Sequence, residues 1–120
     1  MSHIVSIKTQ VHDSAAVNAA CQRLKLAAPT HGTVKLFNGE ATGLVIKLPG
    51  WEYPAAIDTN TGTIHFDNYG GHWGDQKEMD KFLQAYAVEK ARLEARRKGR
   101  TFTETQLQDG SIKLHIQEGQ

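Results

Sequence analysis

The chain predicts an α+β domain: a mainly antiparallel sheet of hairpins, with two helices packed on one face, one short and N-terminal, one long and C-terminal. Three observations carry that prediction. Apolar residues alternate with polar ones at both ends, a long uninterrupted helical pattern occupies residues 75–98, and Asn-Gly, Thr-Asn-Thr-Gly and Asp-Gly turns punctuate the rest.

In order, Val5, Ile7, Thr9 and Val11 fall on one side of an extended segment and Ser6, Lys8 and Gln10 on the other, which predicts a strand near 3–11. Asp13 or Ser14 then caps a helix whose apolar face is Val17, Ala20, Cys21 and Leu24, with Pro29 closing it. Cys21 sits on that face as a small hydrophobe rather than in a setting that would activate a thiol. "TVKLF" and "TGLVIKL" flank Asn38-Gly39 as one hairpin, and "PAAID" and "TIHFD" flank "TNTG" as a second. Between them "PGWEYP" bends the chain and is expected to bring Trp51 and Tyr53 together.

The long helix places Met79, Phe82, Leu83, Tyr86 and Leu93 on one side. Its acids (Asp75, Glu78, Asp80) open it and its bases (Arg96, Arg97, Lys98) close it before Gly99, which complements the helix dipole. "RTFTETQLQ" and "SIKLHIQ" around Asp109-Gly110 complete a third hairpin. The expected order is therefore strand, helix, about four strands, long helix, hairpin, within a single domain covering residues 1–120.

Composition narrows the function classes. Fourteen Lys and Arg balance 13 Asp and Glu, so no global field draws in nucleic acid or an anionic membrane. No apolar run spans a bilayer and no signal-peptide core opens the chain; with one cysteine, a cytoplasmic location and no membrane partner are expected. No P-loop, Gly-x-Ser-x-Gly elbow, His-Glu-x-x-His pair or Cys-x-x-Cys occurs, so no catalytic residue and no cofactor is assigned. The six histidines, His3, His12, His31, His65, His72 and His115, lack helical ligand spacing; no metal ligand is assigned, although His3, His65 and His115 could converge through strand pairing.

Two surfaces stand out. The first is "FDNYGGHWGD": Asp67, Asn68, Tyr69, His72, Trp73 and Asp75, joined by Trp51 and Tyr53, have the aromatic and polar mixture of a protein interface. The same stretch also reads as a turn, with Gly70, Gly71 and Gly74 taking sharp backbone angles and Trp73 pegging the loop under the long helix. An enzymatic version makes His72 a general base oriented by Asp67 or Asp75. The second surface is basic: Lys90, Arg92, Arg96, Arg97, Lys98 and Arg100 could meet phosphates, or could form a solvated helix end with Glu94 paired to Arg97 and Lys98. Exposed strand edges also make homo-oligomerisation by strand addition an expectation.

The opening "MSHIVSIKTQVHD", and the closing "FLQAYAVEKARLEARRKG" followed by the hairpin with "DGSIKLHIQ", resemble the hypothetical chloroplast reading frame thirty-five family. These are small uncharacterised proteins of plastids, cyanobacteria and other bacteria. The matching features are Met1 to Asp13, Tyr86-Ala87 and Asp109 to Ile116, at the two ends of the chain. The resemblance implies no catalytic residue. Because bacterial relatives are often encoded near AAA-class ATPases, it implies a non-catalytic accessory or adaptor role with such an ATPase as a protein partner.

Overall fold

A computed structural model describes residues 4–117. The elements are β1 (Val5–Lys8), α1 (Ser14–Arg23), β2 (Thr30–Leu36), β3 (Gly39–Ile46), β4 (Ala55–Asp58), β5 (Thr63–Phe66), α2 (Gln76–Arg97), β6 (Thr101–Gln106) and β7 (Ile112–Gln117), with a single 3-10 turn at Tyr69–Gly71. The order and the α+β class are those the sequence predicts. All pairings are antiparallel, in a five-stranded sheet ordered β1-β5-β4-β3-β2. The last hairpin does not join that sheet; β6 and β7 pair only with each other.

Both helices cover one sheet face. Ile7, Ile64, Ile57 and Leu44 stand in one row across four strands. They pack with Ile46, Ala55 and Phe66 against Ala16, Val17, Ala20 and Cys21 of α1 and Met79, Phe82, Ala85 and Tyr86 of α2. Burial pushes the Cys21 thiol pKa up, as expected of a thiol that packs rather than reacts.

The opposite face is closed by the chain itself. Beyond Leu44, β3 leaves β4 and pairs only with β2. Gly43 marks the departure, for a Cβ there would collide with the Ile57 carbonyl. The outer half of the hairpin folds back across the sheet, so that Leu36 and Ala41 pack on Ala56 together with Ile4, Val34 and Tyr53. Ile4 precedes one outer strand and Leu36 ends the other, and their meeting means that the sheet coils nearly into a barrel.

Several sequence expectations are corrected. The first strand is four residues long, and Thr9 to Asp13 form a connection that still buries Val11. Its backbone is held by the Tyr86 hydroxyl, which accepts from His12 N (3.2 Å) and Asp13 N (3.1 Å) and donates to Gln10 O (3.4 Å). Helix α1 ends at Arg23, where Lys25 turns left-handed at φ 60°, well before Pro29. The two-residue turn of the β2–β3 hairpin falls on Phe37-Asn38, because Leu36 pairs with Gly39. His3 lies outside the described residues.

Candidate functional site

The stretch from Asp67 to Gly74 carries β5 into α2, and its own side chains tie the turn. Asp67 Oδ1 accepts from Tyr69 N (3.1 Å), and Asn68 Nδ2 donates to Gly74 O (3.2 Å). The Asn68 carbonyl accepts from Gly71 N (3.0 Å) and Trp73 N (2.9 Å). Asp67 and Asn68 are thereby buried as the frame of the loop. Asp75 is committed too: its carboxylate accepts from Lys77 N (2.9 Å) and caps α2.

The two tryptophans part company. Trp51 lies on the helix side, edge-on to Phe66 with ring centroids 5.4 Å apart, its Nε1 donating to Asp75 O at 3.0 Å. The peg under α2 is thus Trp51, where Trp73 was expected; Gly74 is glycine because a Cβ would enter the Trp51 ring. Nor does the bend join Trp51 to Tyr53, which turns the other way to Trp73 (5.5 Å between centroids). The Glu52 amide between them donates to the Trp73 carbonyl at 2.7 Å, fixing the bend to the loop.

On the coiled side the aromatics converge. The Trp73 ring is met by Tyr53, by Tyr69 (4.8 Å) and by Phe37 from the folded-back hairpin tip (5.0 Å), and His72 lies against Tyr69 (5.0 Å). Phe37 is 55% exposed and Tyr69 38% exposed, while Trp73 and Tyr53 are half-buried beneath them. Tyr69 is held at φ 48°, a left-handed conformation that costs a side-chain-bearing residue about 1–2 kcal/mol. Four of the eight residues expected at this surface therefore meet there: Tyr53, Tyr69, His72 and Trp73. Phe37 was missed, since at the tip of an expected strand it carried no signal of its own.

Among the described residues, neither Asp67 nor Asp75 is hydrogen-bonded to His72. Asp67 Oδ1 and the Asp75 carboxylate accept from the backbone amides of Tyr69 and Lys77, Asp67 Oδ2 bonds nothing among the described residues, and the ring contact of His72 is with Tyr69. Among the described residues, no group of three or more His, Cys, Asp or Glu is placed to hold a metal ion.

The basic helix end is partly neutralised within the chain. Lys90 bonds Asp13 (3.2 Å) and Glu94 (3.1 Å), and Arg97 approaches Asp13 (3.7 Å), so Glu94 pairs backward along the helix rather than forward. Burial raises the Asp13 carboxyl, but the Lys90 hydrogen bond and the helix-start amides outweigh it and hold its pKa below the usual range. Arg92 lies over the Phe102 ring (4.7 Å to its centre) and bonds the buried Glu89 (3.3 Å). Arg96 and Lys98 point to solvent.

The same region clasps the last hairpin. Arg23 bonds Glu89 at 2.9 Å and grips both oxygens of Glu104 at 2.5 and 3.2 Å, and Arg92 stands 3.9 Å from Glu104. The Arg23 hydrogen bond holds the Glu104 pKa below its ordinary value. No residue of β6 or β7 is fully buried, and Leu107 and Ile116 are exposed.

Alongside α2 runs a groove of about 530 Å³ whose lining mixes Val11, Leu83 and Tyr86 with His12, Lys90 and Glu94. No helix among the described residues is long and apolar enough to cross a membrane. Comparison of the chain with protein-family models, with curated proteins and with solved structures finds no match.

Proposed function

We propose that the protein is a non-catalytic cytoplasmic accessory domain that binds a protein partner through the aromatic surface of Phe37, Tyr53, Tyr69, His72 and Trp73. The observation that carries this reading is an exposed ring pair, Phe37 and Tyr69, seated on a half-buried tryptophan that three chain segments hold in place. Large aromatics pre-ordered on a rigid base bind with little entropy cost, which is why such residues anchor interfaces. A residue kept at an unfavourable φ beside them supports the same reading, because strain is retained where the surrounding structure imposes it. Membership of the hypothetical chloroplast reading frame thirty-five family is part of the proposal, and makes an AAA-class ATPase the first partner to assay.

The test is affinity capture from native extract with wild type and with a Phe37→Ser, Tyr69→Asn variant shown to be folded. A protein held by the wild type and lost by the variant supports the surface; an identical set from both overturns it. Nucleic-acid binding through Lys90, Arg92, Arg96, Arg97, Lys98 and Arg100 has weaker support, because Lys90, Arg92 and Arg97 already face carboxylates. Capture of nucleic acid with a steep loss on added salt would move it to the front.

A further inference from the structure

We propose that the aromatic surface receives an arginine side chain presented by the partner, an inference that rests on the partner-binding reading above. The argument is one of charge. The Asp67 carboxylate is 1% exposed, and its Oδ2 has no hydrogen-bond partner among the described residues. Glu52, in the bend whose backbone is bonded to Trp73, is exposed. Among the described residues neither carboxylate forms an ion pair. Of the other charged groups on these segments, Lys35 faces Glu40 across the hairpin ladder, and Asp75 is turned to the helix start.

Two acidic residues without an internal ion pair are thus tied to the ring cluster, Glu52 by its amide to the Trp73 carbonyl (2.7 Å) and Asp67 by its Oδ1 to the Tyr69 amide (3.1 Å). A buried carboxylate is poorly screened, so its field favours a positive charge at the nearby surface and opposes a negative one. Aromatic faces add attraction for a cation, and a guanidinium, being planar and weakly hydrated, stacks on rings better than an ammonium does. Because Asp67 lies below the surface, the guanidinium rests over Tyr69 and Phe37 and bonds the Glu52 carboxylate, while Asp67 acts through its field. A purely apolar partner side chain would fill the surface and leave both acids uncompensated.

The experiment titrates isotope-labelled full-length protein with two capped tripeptides, Gly-Arg-Gly and its citrulline counterpart, which keeps the shape and removes the charge. The Trp73 indole N–H reports binding, and the Trp51 indole N–H, bonded to Asp75 O, serves as the internal control. The arginine peptide is expected to shift Trp73 saturably and to bind about tenfold tighter than the citrulline peptide, within the range of partly desolvated cation–aromatic contacts. Asp67→Asn should weaken the arginine peptide alone; should that variant not fold, the exposed Glu52→Gln serves the same purpose. Equal binding of the two peptides, or no response at Trp73, overturns the arginine assignment. If the Phe37→Ser, Tyr69→Asn variant nevertheless loses the captured partner, the surface reading stands without it; if the variant keeps the partner, both fall together.

Discussion

The Trp51 indole fills the space where a Gly74 side chain would stand and bonds the carbonyl of the next residue, Asp75, so one side chain fixes where the aromatic loop ends and α2 begins. A methyl group at residue 74 would have to displace that ring, which is also wedged against Phe66. Gly74→Ala is expected to cost about 1–3 kcal/mol, the usual penalty of overpacking, and to lower the midpoint of thermal unfolding. An unchanged midpoint would show that the ring has room to retreat.

Tyr69→Asn separates stability from surface chemistry. Asparagine tolerates the left-handed backbone that tyrosine occupies at φ 48°, and the relief of about 1–2 kcal/mol works against two lost ring contacts, with Trp73 and His72, of about 0.5–1.5 kcal/mol each. Chemical denaturation should find the variant within about 2 kcal/mol of wild type. Once its folding is verified in this way, it suits binding assays.

Tyr86→Phe removes a hydroxyl that serves three backbone groups of the Gln10–Asp13 connection. The Asp13 amide would lose its acceptor, at a cost of about 1–3 kcal/mol, while His12 N keeps its bond to Gln10 O (3.0 Å). Hydrogen exchange at the Asp13 amide should accelerate more than at His12, and more than in the β4–β5 hairpin.

The Arg23–Glu104 pair predicts an acid-sensitive hairpin. Glu104 has a folded pKa below its ordinary 4.5, so its contribution is fully present above that value and is lost as pH falls through the lower folded value. Exchange protection of β6 and β7 should decline in that window ahead of the five-stranded sheet. Glu104→Gln should reduce the protection by roughly 1 kcal/mol at neutral pH and remove its pH dependence.

What the sequence disclosed was what local chemistry decides. Asp13 as cap, the Val17, Ala20 and Cys21 face, the four-residue loop between Asp58 and Thr63 and the charge order of α2 each follow from neighbours a few positions apart. The turn lies one residue earlier, on Phe37-Asn38, and Gly39 joins the ladder opposite Leu36, where a Cβ would stand 3.2 Å from Ile4 Cδ1, a long-range contact that no local pattern announces. Trp51 and Tyr53 were separated by a bend whose two sides face different cores, which no pattern of spacing announces. The candidate site was half legible for the same reason: its loop is one continuous run, but Phe37 arrives from a hairpin that folds back across the sheet. Glu89, buried between Arg23 and Arg92, and its clasp partner Glu104 came only with tertiary structure.

Every fully buried hydrophobic residue among those described lies at or before Ala95, and the two strands that follow hang on by charge and a stacked guanidinium. During synthesis, then, both cores can close while the last hairpin is still inside the ribosome, and the hairpin docks onto a domain already folded. Its attachment through Arg23, Arg92 and Gln84 leaves the aromatic surface untouched, so opening or clipping the hairpin is expected to leave that surface as it was.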